Sequence, residues 1–138
     1  MPTSSIPQLI ESCGFCRADE VEALQTMKTG MTNRSYAFFV KGNRYIIRIP
    51  GEGTDRLINR AQEHAVYSAI ESLGISETVH YFDPVTGIKI ASYLTDAHVC
   101  DSGNWEEVTK CIAALREFHS SKLHVAHSFD LWERLDFC

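Results

Sequence analysis

One arginine lies where the sequence otherwise predicts apolar side chains. Arg48 interrupts the stretch from Tyr45 to Ile49, whose aromatic and β-branched residues predict a strand. Alternation along a strand puts Arg48 on the face opposite Tyr45 and Ile47. Because an unpaired charge is costly to bury, this guanidinium has to reach solvent, a carboxylate or an anionic ligand. Arg48 is therefore the first candidate for a binding role, and a solvated strand arginine is the alternative.

A carboxylate on the next predicted helix could partner this arginine. Glu63 lies on the flank of the apolar stripe, since Val66 follows at i+3 and Ile70 at i+7. A strand cation steadied by a helix carboxylate is the arrangement with which kinases hold a cation against phosphates. The alternative is that Glu63 is one more solvated glutamate on a helix.

A polar turn at residues 30–34, GMTNR, precedes the predicted hairpin. Kinases place their phosphate-covering loop at this point of the chain. The turn has only one glycine, so the usual glycine-rich pattern is absent. Thr32 and Asn33 nevertheless offer a hydroxyl and an amide, and backbone N–H groups of a turn can face phosphate oxygens. An ordinary turn before a strand is the alternative.

Apolar periodicity and turn residues predict the elements that would position these side chains. The first half is predicted to hold a short helix capped by a serine (Ser4 or Ser5) and ended by Gly14, a strand at 21–28, and a hairpin of 35–40 and 45–49 around a Gly42-Asn43 turn. The second half is predicted to hold a long helix from Thr54 to Leu73 ended by Gly74, strands at 79–82 and 88–93, a connector at 95–103, and a helix start at residues 129–137. Because strands and helices do not alternate as βαβ units, the predicted fold class is α+β.

Another helix is predicted after the connector. Asn104 should cap it, with Glu107 completing a capping box. Its apolar residues recur at helical spacing and predict a buried stripe of Trp105, Val108, Ile112, Leu115 and Phe118.

Composition excludes several classes of protein. The 138 residues have the size of one domain, with 44% hydrophobic and 22% charged residues. A net charge of -5 argues against a nucleic-acid or anionic-membrane partner. No apolar run approaches the ~20 residues of a membrane span, and the N-terminus lacks a signal-peptide pattern. Five scattered cysteines are typical of a reducing compartment, so we expect a cytoplasmic protein.

Cysteine and histidine spacing gives little support for a redox or metal site. Cys13 and Cys16 form a C-x-x-C pair, but the pair closes a predicted helix and has no second pair to complete a zinc site. His119, His124 and His127 follow no ligand spacing, so packing or surface histidines are the better interpretation.

Several stretches in succession resemble choline kinases of the bacterial type, within the choline/ethanolamine kinase family. They are GMTNRSY (30–36), YIIRIPGEGT (45–54), NRAQE (59–63), YFDPVTGIKI (81–90) and ALREFHSS (114–121). The resemblance runs from about residue 20 to the end, which makes it more specific than a single short motif. The wider family includes aminoglycoside phosphotransferases and shares the protein-kinase-like fold.

The resemblance implies an ATP-binding N-terminal lobe at residues 1–95, with an antiparallel sheet and a long helix after its third strand. Residues 96–138 would be a connector and the first helices of a truncated C-terminal lobe. It further implies a transferase that uses ATP and Mg²⁺ to phosphorylate the hydroxyl of choline or a similar amino alcohol. The residues implied at the nucleotide are Thr32, Asn33 and Arg34 over the phosphates, Arg48 in contact with them, Glu63 holding Arg48, and the hinge of Ser92, Tyr93 and Leu94 at adenine.

The family's catalytic segment, of the type H-x-D-x-x-x-x-N, does not occur in these 138 residues, and His127 to Asp130 does not match it. The Mg²⁺ ligands and the catalytic aspartate are therefore expected in a missing half, and this chain alone is expected to be inactive. The helix from Trp105 to Phe118 and the Leu131-Trp132 segment would normally pack against that missing half, so their apolar faces are expected to drive self-association.

Two alternatives remain open. A related enzyme that phosphorylates an aminoglycoside or another small molecule would share the same lobe. A non-catalytic nucleotide-binding or interaction module would equally lack the catalytic segment. Whether the gene continues past Cys138 into an H-x-D-x-x-x-x-N segment discriminates this module from a kinase.

Overall fold

The chain is built on an antiparallel sheet of five strands, in a computed structural model that describes residues 6–27 and 32–137. The strands are β1 (Glu22–Thr26), β2 (Asn33–Val40), β3 (Asn43–Pro50), β4 (Val79–Phe82) and β5 (Lys89–Ser92). Their spatial order is β1-β2-β3-β5-β4, and all neighbours are antiparallel. The predicted α+β class is thereby confirmed.

Four α-helices accompany the sheet in the part of the chain that the structure describes. They are α1 (Ile6–Ser12), α2 (Arg60–Ile70), α3 (Trp105–Ser120) and α4 (Leu131–Phe137). Among the described residues, none of these helices combines the length and apolarity that crossing a bilayer requires. The predicted serine cap, Ser4 or Ser5, and the predicted turn residues Gly30 and Met31 lie outside the described residues.

Helix α1 closes one face of the sheet. Ile6 and Ile10 are fully buried against side chains of the three central strands. The remaining buried members of this core are Tyr36, Phe38, Val40, Ile47 and Ile90. Each such side chain contributes about 1.5 to 3 kcal/mol by leaving water. Because apolar packing fills this face, the opposite face is the one on which Arg48 can bind a partner.

The β2–β3 hairpin is present, but its turn differs from the prediction by one residue. Val40 pairs with Asn43, so the two-residue loop is Lys41–Gly42 rather than Gly42-Asn43. Both loop residues have positive φ, at 50° and 80°. This left-handed pair matches the strand twist of a tight hairpin, and Gly42 adopts it without steric strain.

Helix α2 begins later than predicted. Thr54 opens a separate 3-10 turn, Thr54–Arg56, and the N-cap of α2 is Asn59, whose Oδ1 accepts a hydrogen bond from the Gln62 N–H. The prediction of Thr54 as the helix cap is wrong because its hydroxyl is already used, donating to the Gly51 carbonyl at 2.8 Å. Gly74 ends the helical segment with a left-handed φ of 62°, as predicted.

The predicted buried stripe of α3 is wrong. None of the sixteen residues of α3, all of which the structure describes, is buried, and Trp105 is 80% exposed. Asn104 does cap the helix, accepting from the N–H groups of Glu106 and Glu107. The reciprocal half of the capping box is absent, because the Glu107 carboxylate instead accepts from the Asp101 N–H.

Candidate functional site

An ion pair joins β3 to α2. Arg48 Nη1 donates to Glu63 Oε1 at 2.6 Å, and Arg48 Nη2 donates to the Gly87 carbonyl at 3.1 Å. The side chains of Arg48 and Glu63 are only 15% and 18% exposed. The contact predicted from the sequence is therefore present, on the sheet face opposite α1.

A second guanidinium shares the same carboxylate. Arg60, in the first turn of α2, donates from Nη1 to Glu63 Oε2 at 2.7 Å and from Nη2 to Thr54 Oγ1 at 2.9 Å. Its side chain is 5% exposed. Each oxygen of Glu63 thus binds one arginine, and the cluster of two cations and one anion carries a net positive charge.

Lys89 is a further cation beside Arg48, and it lies within the sheet. Lys89 of β5 pairs across the strands with Arg48 and is buried. Its ammonium forms an ion pair with Glu77 and donates to the Tyr67 hydroxyl at 2.8 Å. Arg48 and Lys89 therefore stand side by side with separate carboxylate partners, which limits the repulsion between them.

Opposing effects set the pKa of Glu63. Burial is the largest influence and raises the pKa of the carboxyl, but the hydrogen bonds and charges of Arg48 and Arg60 together outweigh it. The pKa of Glu63 consequently lies below its ordinary value of 4.5. The carboxylate is ionised at neutral pH and holds both arginines as an anion.

The residues predicted over the phosphates fall on two faces. Asn33 and Arg34 belong to β2 rather than to the preceding turn, and Asn33 pairs with Pro50, on the face that carries Arg48. Arg34 pairs with Ile49 and so starts from the opposite, core-facing side. Thr32 is exposed, and its carbonyl accepts from the Gly51 N–H at 2.7 Å, which ties the end of the turn to the segment after β3.

The predicted hinge begins with Ser92, the last residue of β5. The N–H groups of Ser92 and Tyr93 are already used in the sheet, donating to the carbonyls of Thr78 and Arg44. The Arg44 guanidinium covers the Tyr93 ring, with Cζ 3.8 Å from the ring centroid. Leu94 is exposed, and its N–H donates to no other backbone group of the described residues. An adenine contact to a hinge N–H would therefore fall on Leu94.

Two buried polar atoms on this face, one donor and one acceptor, lack a partner in the part of the chain that the structure describes. Arg48 Nε and Asn33 Oδ1 are buried and have no hydrogen-bond partner among the described residues. Buried polar groups are normally satisfied, and an anionic oxygen would satisfy the N–H at Nε. In residues 6–27 and 32–137, no three His, Cys, Asp or Glu side chains are arranged to hold a metal ion.

Sequence reasoning missed three residues that surround the Arg48–Glu63 pair. Arg60 stands three residues before Glu63, and an opposite-charge pair at i,i+3 could have identified it. Lys89 lies between Ile88 and Ile90, so the argument made for Arg48, a charge within an apolar strand, applies to it equally. Gly87 contributes only its backbone carbonyl, and a contact through the backbone cannot be predicted from the type of residue.

Comparison with known proteins gives structural neighbours only. No protein-family model matches the chain, and no curated protein matches it. Choline kinase LicA from Streptococcus pneumoniae is similar to it with a TM-score of 0.78 and 27% identity over 96% of this chain. LicA in complex with AMP is similar with a TM-score of 0.75 and 28% identity over 93% of this chain.

A choline/ethanolamine kinase family protein from Mesorhizobium loti has a TM-score of 0.69 and 23% identity over 95% of this chain, which shows a shared fold. The chain spans 45% of the LicA chain and 44% of the Mesorhizobium loti chain. The predicted resemblance to the choline/ethanolamine kinase family is confirmed, and the chain has the small-molecule kinase fold of the N-terminal part of these proteins.

Proposed function

We propose that this chain is the ATP-binding part of a kinase that phosphorylates the hydroxyl of choline or a similar amino alcohol. The observation that carries the proposal is the partly buried ion pair between Arg48 and Glu63, in a chain similar to a choline kinase over 96% of its length. Arg48 would be the cation that a kinase needs for the phosphates, and Glu63 would be the helix carboxylate that steadies it.

ATP would lie on the sheet face opposite α1. Arg48 would donate from its unpartnered Nε to a phosphate oxygen, and Glu63 would keep the guanidinium in place. Thr32, Asn33 and Arg34 would lie over the phosphates, with Arg34 reaching around the strand end. The bound nucleotide would supply the phosphoryl group that is transferred.

The hinge at Ser92, Tyr93 and Leu94 would receive the adenine. The N–H of Leu94, which has no partner among residues 6–27 and 32–137, supports this role, as does the AMP complex of LicA, a neighbour with 28% identity. Residues 1–95 would form the ATP-binding lobe, and residues 96–138 the connector and first helices of a second lobe. The Mg²⁺ ligands and the substrate pocket would lie in parts of the protein that these 138 residues do not contain.

Nucleotide binding tests the assignment directly. The 138-residue chain is expected to bind ATP weakly, and Arg48→Gln should lower the affinity about tenfold or more through loss of a charge-assisted hydrogen bond. Isothermal calorimetry on both variants measures this, with Arg56→Gln as the matched control, since Arg56 is an exposed arginine in the 3-10 turn after β3. Equal affinity of wild type and Arg48→Gln would remove the phosphate role from Arg48.

Turnover is expected to be undetectable for this chain alone. Phosphoryl transfer needs metal charge and a positioned hydroxyl beside the phosphate, and this sequence has no H-x-D-x-x-x-x-N segment to supply the base. The assay combines the chain with ATP, Mg²⁺ and choline, ethanolamine or an aminoglycoside in parallel. Product formation with any of them would refute the predicted inactivity and identify the substrate class.

Self-association through α3 and α4 is also proposed. Their exposed apolar residues include Trp105, Ile112, Leu115, Leu131 and Trp132. Such a concentration of exposed apolar side chains favours contact with another protein surface, and a second copy of this chain is the partner present in a purified sample. Light scattering across a concentration series should show a mass above 15.6 kDa that rises with concentration. A constant monomer mass would contradict it.

A further inference from the structure

The environment of Arg60 gives this residue a role beyond holding the end of a helix. Its guanidinium bridges Glu63 Oε2 at 2.7 Å and Thr54 Oγ1 at 2.9 Å, and the side chain is 5% exposed. The Thr54 hydroxyl in turn donates to the Gly51 carbonyl, and the Gly51 N–H donates to the Thr32 carbonyl. A continuous chain of hydrogen bonds therefore runs from the end of the polar turn to the carboxylate that holds Arg48.

Close packing fixes Arg60 from a second side. Gly87 lies so near that a Cβ added there would be 2.5 Å from Arg60 Cδ and 2.7 Å from Nε. The Gly87 carbonyl also accepts from Arg48 Nη2. Gly87 thus packs beside the Arg60 side chain and accepts a hydrogen bond from Arg48, so the two guanidinium groups lie against one residue.

The sharing of the Glu63 carboxylate by two arginines sets the net charge of the cluster. If Arg48 alone bound Glu63, the pair would be neutral and its attraction for phosphate would be small. Because Arg60 takes the second oxygen, the cluster keeps one net positive charge on the face opposite α1. A guanidinium is suited to this place, since its planar fork can bridge two acceptors that a lysine ammonium would hold less rigidly.

We propose that Arg60 is a positioning residue for the nucleotide: it orients Glu63, and through Glu63 it sets Arg48, while linking that pair to the Thr32 segment. This inference rests on the proposed function for the nucleotide itself. Arg60 touches no part of the ligand and acts through Arg48.

A double-mutant cycle with calorimetry tests whether Arg60 acts through Arg48. Arg60→Gln should weaken ATP binding about tenfold, the equivalent of about one charge-assisted hydrogen bond. In an Arg48→Gln background the same change should cost much less affinity than in the wild type, because the residue that Arg60 positions is gone and only the charge of Arg60 is left to lose. Arg56→Gln should leave the affinity at the wild-type value. An additive loss in the double variant, or no loss in Arg60→Gln, would overturn the proposal.

A second measurement tests the positioning role of Arg60 in the absence of nucleotide. The pKa of the Glu63 carboxyl, followed by carbon NMR, should rise in Arg60→Gln relative to wild type and stay unchanged in Arg56→Gln. If wild type fails to bind ATP, the proposed function fails, yet an unchanged Glu63 pKa in Arg60→Gln would still overturn the positioning role. Should Arg60→Gln not fold, Thr54→Val removes the other partner of Arg60, and it should weaken ATP binding in the same Arg48-dependent way.

Discussion

Replacing Glu63 by alanine is expected to lower the free energy of unfolding by about 3 to 5 kcal/mol. The change removes the shared carboxylate and leaves two guanidinium groups, 15% and 5% exposed, without a counter-charge. A buried charge that loses its partner keeps its desolvation cost, which is why the loss exceeds that of a surface pair. Urea denaturation followed by circular dichroism measures the difference.

The control for this change lies a little further along the same chain. Glu71, in the 3-10 turn after α2, is exposed, and its replacement by alanine should alter stability by no more than about 0.5 kcal/mol. If Glu63→Ala cost no more than Glu71→Ala, the two arginines would be held by something other than this carboxylate.

The stabilisation by Glu63 should also depend on pH in a defined direction. Since the pKa of Glu63 lies below 4.5 in the folded chain, its ionised form stabilises the fold above pH 4.5. That contribution is lost as the pH falls through the folded-state pKa. The difference in unfolding free energy between wild type and Glu63→Gln should therefore be largest at neutral pH and shrink in acid. A difference that stays constant from neutral to acidic pH would contradict the ion pair.

The fold was predictable from the sequence where a pattern has a single structural solution. The hairpin and the Gly74 stop followed from local chemistry, and Arg48 was recognisable because a charge inside an apolar strand demands a partner. The start of α2 was not predictable, because the use of the Thr54 hydroxyl by Gly51 and Arg60 depends on contacts between segments. Arg60 was missed although its i,i+3 spacing to Glu63 was visible in the sequence, because a basic residue in the first turn of a helix usually faces solvent.

Helix α3 shows a different limit of sequence reasoning. The spacing of Trp105, Ile112 and Leu115 correctly predicts a helix with an apolar side. Periodicity reports that a face is apolar, but it carries no information about what covers that face. A buried stripe would need a partner surface to cover it. Within the described residues, Trp105, Ile112 and Leu115 of this stripe are exposed.

Replacing Gly51 by alanine is expected to weaken ATP binding about tenfold or more and to lower stability by about 1 to 3 kcal/mol. An added Cβ would lie 2.6 Å from the Thr32 carbonyl oxygen and 3.3 Å from its carbon. Both atoms belong to the backbone, so relief requires the Thr32 segment to move away from β3. That movement would break the hydrogen bond from the Gly51 N–H, displace the end of the proposed phosphate-covering turn and disturb the carbonyl that receives the Thr54 hydroxyl.

Gly53→Ala separates this steric effect from general backbone strain in the same segment. Gly53 has a φ of 79°, but a Cβ there would meet no atom within 4 Å. Alanine at this position should therefore cost about 1 kcal/mol of stability through its left-handed backbone alone and leave ATP affinity unchanged. Calorimetry and urea denaturation on both variants give the comparison. Equal ATP affinities for the two variants would mean that contact between Gly51 and Thr32 does not position the nucleotide, since only Gly51→Ala forces that contact apart.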